Sequence, residues 1–146
     1  MSHRIVFQRE LPFPVETVWA LVSDHCSLSR WLVPGMTVRL DPEGDPPPNG
    51  SGAIRVMTRT GYRCAEKVLD FEPPHRMTYT VLSGFPIDNH LGEIVLEPSS
   101  IGTRLQWTVT FEARYYGTGF IVDAIVRRVL GQGLRRLEAV LHASAV

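Results

Sequence analysis

Apolar and polar positions alternate through most of the chain, and the alternation gives way to helical spacing in three places. Residues 102–113, GTRLQWTVTFEA, set Leu105, Trp107, Val109 and Phe111 on one face and Arg104, Gln106, Thr108 and Thr110 on the other. A period of two sends successive side chains to opposite sides of a pleated strand, so the segment predicts a half-buried strand of an antiparallel sheet. RIVFQREL near the N-terminus alternates in the same way, with Ile5 and Phe7 set against Val6 and Gln8, and suits a strand near an edge. MTVRL, AIRVMTR, YRCAEKVLDF, PPHRMTYTVL and LGEIVLEP carry further strand patterns, for about seven strands in all.

Helical spacing comes first in PVETVWALVSD, where Val15, Val18, Trp19 and Val22 share a face and Pro14 and Glu16 suit the first turn. SLSRWL then offers Ser27 or Ser29 as the cap of a second short helix that carries Trp31 inward. From Thr118 to His142 the longer period returns. Val122, Val126, Val129, Leu130, Gly133, Leu137, Val140 and Leu141 form one stripe, while Arg127, Arg128, Arg135 and Arg136 point away. This reads as one long helix laid on the sheet. Gly131 and Gly133 each cost about 1 kcal/mol relative to alanine in a helix interior, so GQG marks where the helix would divide if it is not continuous. At Gly133 the missing side chain leaves either a close backbone contact or empty space over the sheet.

The connections add register. If Thr60 and Gly61 are the two turn residues of a hairpin, Arg55 stands opposite Glu66, Met57 opposite Cys64 and Ala53 opposite Val68. DPEGDPPPNGSG, with three consecutive prolines, is expected to be the least ordered stretch, a surface loop. GFPIDNH, residues 84–90, places Asp88, Asn89 and His90 side by side after a glycine and a proline. Turn chemistry explains those residue types, and a hairpin connection is the reading.

Composition narrows the class. At 146 residues and 44% hydrophobic, residues 1–146 are sized for one domain with one core. Fifteen basic residues balance fifteen acidic ones, so no overall field recruits nucleic acid or an anionic membrane. No stretch approaches the roughly 18 apolar residues of a membrane span, and a soluble, cytoplasmic protein is expected. Cys26 and Cys64 lack metal-binding or redox spacing and read as two buried free thiols. Phosphate loops are absent, because GSGAIR leads into a strand without a third glycine. No cofactor or metal is expected; a homodimer stays open.

The order strand, two short helices, six strands, long helix is an α+β helix-grip arrangement. PVETVWALVSD followed by Trp31, GSGAIR, GYRCAEKV, FEPPHRMTY, the SGFP turn and GTRLQW, in that order across almost the whole chain, resemble the START-like (SRPBCC) superfamily of polyketide cyclase/dehydrase and lipid-transport proteins. The resemblance implies a curved antiparallel sheet wrapped around the C-terminal helix, with an apolar cavity between them. It leaves function open, since such folds serve lipid carriers, aromatase/cyclases, oxygenase domains and co-chaperone regulators. The oxygenase members need two histidines and a carboxylate on iron, and His25, His75 and His90 lie in separate segments without ligand spacing.

The leading expectation is a protein that binds a small hydrophobic molecule, such as a lipid, an isoprenoid or quinone, or an aromatic polyketide. Its candidate binding residues are Trp31, Arg55, Met57, Tyr62, Glu66, Tyr79, Phe85, His90, Trp107 and Phe120. Arg55 and Glu66 are also the candidate catalytic pair of an alternative, a cyclase or dehydratase in which they move and stabilise charge. Pattern does not decide which way they face, because the opposite face holds Ile54 and Val56 together with Arg63 and Lys67. A second alternative is a protein-interaction module without a ligand. Phe85, Ile87 and His90 are expected to form a rim of the cavity, with His90 supplying polarity and no base. Asp24, His25 and Cys26 follow a helix end and do not read as a nucleophilic site.

Overall fold

A computed structural model describes residues 2–144. Strand β1 (Ser2–Leu11) leads into helix α1 (Val15–Val22), a single 3-10 turn at His25–Ser27, and helix α2 (Leu28–Trp31). Six strands follow: β2 (Thr37–Leu40), β3 (Ile54–Arg59), β4 (Tyr62–Glu72), β5 (Arg76–Ser83), β6 (Ile87–Ser99) and β7 (Gly102–Ala113). Helix α3 (Gly119–Ser144) completes the chain as described. The seven strands form one antiparallel sheet in the order β1-β7-β6-β5-β4-β3-β2, so the N-terminal strand pairs with the last one. This is the helix-grip architecture that the resemblance implied.

Curvature comes from irregularities. Strand β4 shifts register between Ala65 and Glu66 and again between Val68 and Phe71, and β6 shifts between Asp88 and Leu91. Extra residues of this kind bend a strand and raise its local twist. Arg55 pairs with Glu66 and Met57 with Cys64 across the Thr60-Gly61 turn, where Gly61 takes φ of 79°.

Helix α3 runs unbroken through Gly131 and Gly133. Gly133 resolves the choice between contact and void in favour of contact: a Cβ there would lie 2.6 Å from Leu32 Cδ1. Helix α3 therefore approaches the end of α2 as closely as a bare backbone allows, and Arg136 donates to the Trp31 carbonyl at 3.2 Å. The buried stripe differs from the expected one at four positions. Leu134 is buried, Val129 is 39% exposed, and Val126 and Val140 are half-buried.

The core is concentrated where α1, α2 and the C-terminal half of α3 meet β1, β7 and β6. Val18, Leu28, Trp31, Leu96, Leu105, Trp107 and Leu137 are essentially solvent-free there. Ser27 stands at the N-cap position of α2 without capping it, since its hydroxyl lies 2.7 Å from the carbonyls of both Leu21 and Asp24 and its one hydrogen goes to that pair. The proline-rich loop is more organised than its composition suggested. Asp45 and Ser51 form an isolated bridge, Gly44 N–H donates to Pro48 O, and Gly50 N–H donates to Pro46 O.

Candidate functional site

The N-terminal half of α3 stands off from the sheet, and a cavity of about 340 Å³ fills the gap. Ile125, Val126, Val129 and Leu130 supply its helix side. Met57, Cys64, Val81 and Val109 supply most of its sheet side, with Glu66 and Tyr79 among them. Leu32, Val33 and Met36, from the segment joining α2 to β2, close one part of the wall, and Phe85 and Ile87 close another. The wall is apolar apart from Tyr62, Cys64, Glu66, Tyr79 and His90, and two of these, Glu66 and Tyr79, belong to one network.

Arg55 is the centre of that network. Its face with Met57, Cys64 and Val68 turns inward, and its side chain is 3% exposed against 13% for Glu66. Arg55 Nε and Nη2 donate to Glu66 Oε1 at 2.8 and 2.7 Å. Nη1 lies 3.2 Å from His25 Nδ1, and the guanidinium carbon sits 4.4 Å from the centre of the Tyr79 ring. His25 Nε2 lies 2.8 Å from the Asn49 carbonyl. A carbonyl only accepts, so Nε2 carries the proton and Nδ1 is the acceptor for Arg55. Burial, with the Arg55 charge adding to it, pushes the His25 pKa down to about 3. A neutral imidazole thus anchors a buried cation, and the proline-rich loop holds the imidazole through Asn49, which also accepts the His25 backbone N–H at 3.2 Å.

Tyr79 joins the network to the core. Its oxygen accepts Trp107 Nε1–H at 2.9 Å. Burial raises its pKa, with Glu66 adding to the shift, so the hydroxyl keeps its proton. The ring lies over Gly92, where any Cβ would collide with Tyr79 Cζ. Glycine at position 92 is what lets this tyrosine lie flat in the wall. Cys64 is no nucleophile: burial, and then Glu66, lift its pKa to about 12. Tyr62 donates to the Gly84 carbonyl at 2.8 Å, and burial, followed by Cys64, lifts its pKa to about 12.

His90 performs a backbone task. Strands β5 and β6 share four cross-strand pairs, from Arg76–Val95 to Tyr79–Gly92, and then separate. Beyond that point His90 Nδ1 accepts the Val81 N–H at 3.0 Å, and Thr80 Oγ1 donates to the His90 carbonyl at 2.6 Å. The imidazole replaces the missing ladder partner. Asn89, at φ of 52°, makes the bulge that aims it. Desolvation lowers the His90 pKa, and the bond from Val81 requires an unprotonated Nδ1. GFPIDNH is accordingly the connection between β5 and β6 together with a bulge. Gly84, at φ of 94°, lies so close to Arg63 and Cys64 that a side chain would collide with their backbone. His90→Ala is expected to lower stability by about 1 to 2 kcal/mol through the orphaned Val81 N–H and to keep the fold. Urea unfolding with a far-ultraviolet dichroism spectrum checks this; an unfolded variant would show that the patch holds the sheet together.

Among the residues singled out from sequence, Met57, Tyr62, Glu66, Tyr79, Phe85 and His90 line the cavity. Arg55 lies behind Glu66 and Tyr79, outside the lining. Trp31 and Trp107 are each 1% exposed and pack against one another at 5.9 Å, deeper than the wall, where Trp107 supports Tyr79 from behind. Phe120 is 73% exposed and lies in a surface groove with Tyr115 and Tyr116. It precedes the buried Val122 by two residues, about 200° around the helix, and so faces away from the core.

A sequence profile described as "Polyketide cyclase / dehydrase and lipid transport" matches residues 2–142. The chain belongs to this family. No curated protein is similar enough in sequence to count as a match. Solved structures share the fold at low identity. Ara h 8.0201 superposes with a TM-score of 0.78 at 16% identity, covering 98% of this chain and 99% of its own. A solution structure from Thermobifida fusca gives 0.78 at 24% identity, covering 96% and 92%. Norcoclaurine synthase from Thalictrum flavum, solved with dopamine and hydroxybenzaldehyde, gives 0.74 at 14% identity, covering 98% and 88%.

The family membership does not single out His25, and neither did its sequence context. Its partner Asn49 lies across the proline-rich loop, and no local pattern connects the two. Val126, Val129 and Leu130 stood on the recognised helical stripe, whose N-terminal half turns out to border space. Leu32 and Met36 stood at the ends of the expected second helix and second strand, and nothing in those patterns pointed to a cavity wall.

Proposed function

We propose that this family member binds a small hydrophobic molecule between the sheet and the N-terminal half of α3. The observation that carries the reading is the cavity of about 340 Å³ with its largely apolar wall. Apolar pockets of this order, with a few placed polar groups, are the usual form of small-molecule sites. Close packing is the rule in protein interiors, so space kept open by Gly92, the β4 and β6 bulges and the stand-off of α3 calls for an occupant. Both cysteines are free, Cys26 at the surface and Cys64 inside, which fits action in a reducing compartment such as the cytoplasm.

A neutral fluorophore, N-phenyl-1-naphthylamine, tests the site. One equivalent is expected to bind with enhanced emission. Val126→Trp, which fills the cavity from the helix side, is expected to weaken binding by about tenfold or more while the dichroism spectrum stays unchanged. Binding that ignores the tryptophan would place the probe elsewhere and overturn the reading.

Glu66 supports a second reading, an acid-base enzyme. Its Oε1 takes both bonds from Arg55, and Oε2 has no hydrogen-bond partner among the described residues. A carboxylate oxygen held at an apolar cavity by a fixed guanidinium is placed to move a proton on a bound substrate. Turnover abolished in Glu66→Gln with binding retained would select this reading over simple carriage.

A further inference from the structure

Resting on the cavity-binding reading, we infer that the occupant carries a neutral hydroxyl, alcohol or phenol, at its polar end, and that carboxylic acids and protonated amines of the same skeleton are rejected. The inference follows from the uncommitted valences of three lining groups. Glu66 Oε2 is an acceptor without a partner among the described residues, since both bonds from Arg55 end on Oε1. Tyr79 spends an oxygen lone pair on Trp107 Nε1–H, and its own O–H finds no acceptor among the described residues. His90 spends Nδ1 on the Val81 N–H, so the neutral ring presents Nε2–H, again without a described partner. Glu66, Tyr79 and His90 all line the cavity. The Tyr79 ring neighbours both sides of the cluster: the Arg55 guanidinium, bonded to Glu66, lies 4.4 Å from its centre, and the His90 ring centre lies 5.5 Å away.

A hydroxyl is the head group that answers both kinds of vacancy. It donates one hydrogen to Glu66 and accepts one from Tyr79 or His90. A carboxylate would meet the Glu66 charge directly, while the matching cation, Arg55, is held behind the wall and engaged by Glu66, His25 and the Tyr79 face. Like charges at a dehydrated site repel strongly. An ammonium would satisfy Glu66 and leave the two donors facing a donor, beside a carboxylate that Arg55 already neutralises. An unpaired polar group in an apolar wall is what such sites discriminate by. The cavity of about 340 Å³ has room for a molecule the size of a medium-chain alcohol or a bicyclic phenol.

Calorimetry on the full chain at neutral pH with nonan-1-ol, nonanoate and nonylamine separates the cases. Nonan-1-ol is expected to bind about tenfold or more tighter than either ion. Glu66→Gln removes the negative charge and leaves Arg55 uncompensated, so nonanoate should gain by about tenfold relative to nonan-1-ol. The wild-type ranking alone decides the matter if that variant does not fold. Nonanoate or nonylamine binding as tightly as nonan-1-ol would overturn the hydroxyl assignment and leave hydrophobic binding standing. No binding by any of the three, with N-phenyl-1-naphthylamine also failing to bind, would overturn the cavity reading itself.

Discussion

Replacing Arg55 with methionine is expected to cost about 3 to 5 kcal/mol of stability, the range for removing one partner of a buried ion pair. Methionine roughly conserves the volume, so the loss is electrostatic. Glu66, 13% exposed, loses its cation, and His25 Nδ1 loses the only hydrogen donor described for it. Urea unfolding of Arg55→Met and of the double variant Arg55→Met/Glu66→Gln measures the effect, and the double variant should recover a substantial part of the loss. A cost below about 1 kcal/mol would mean that the pair behaves as a solvated surface bridge. Arg55 would then not be the electrostatic anchor of the cavity wall.

Stability is also expected to fall by about 1.4 kcal/mol for each pH unit below about 6.5, from His25 alone. The folded pKa of His25 is depressed to about 3. Between those limits the unfolded chain takes up a proton that the folded chain refuses, so the unfolded state binds more protons and stability rises with pH. Lowering the pH from 6.5 to 5 therefore removes about 2 kcal/mol, before most carboxylates titrate. His90, whose folded pKa is also lowered, contributes in the same direction. Urea midpoints at the two pH values for the native sequence and for His25→Gln check the assignment. The variant is expected to start lower, having lost one or both ring contacts, and to show a flatter dependence. An equal slope in both proteins would place the acid sensitivity elsewhere.

How much of this was legible beforehand depended on how local the cause was. The pairing of Arg55 with Glu66 followed from a two-residue turn, because turn length fixes register. Which way the pair faces did not follow, since Arg55 shares its face with Met57 and Cys64 while Ile54 and Val56 occupy the other. Aromatic size suggested Trp31 and Trp107 as wall residues. Size says nothing of depth, and both lie one layer below, each 1% exposed. The continuity of α3 was a contest between glycine's helix cost and the stripe around it. Contact with Leu32 settles it, and no single-helix pattern contains that information. His25 was the largest omission. Its importance comes from Asn49 and Arg55, 24 and 30 residues away, and long-range partners leave no mark in periodicity.

The short ladder between β5 and β6 divides the sheet into two leaves with unlike ancestry in the folding reaction. One leaf, β2 to β5, is a run of strands each paired with its neighbour in sequence, and its longest connection is the proline-rich loop between Leu40 and Ile54. The other unites β6 and β7 with β1, bringing Ser2 opposite Glu112 and spanning nearly the whole chain. Contacts of such separation carry the higher loop-closure cost and set the slow step. The four pairs from Arg76 to Tyr79, with the His90 imidazole beyond them, are the junction between the two leaves. Openings confined to such a junction cost less than unfolding either leaf. Tyr79 and His90, which stand at this junction, also line the cavity, so a local parting of the two leaves would loosen the cavity wall first.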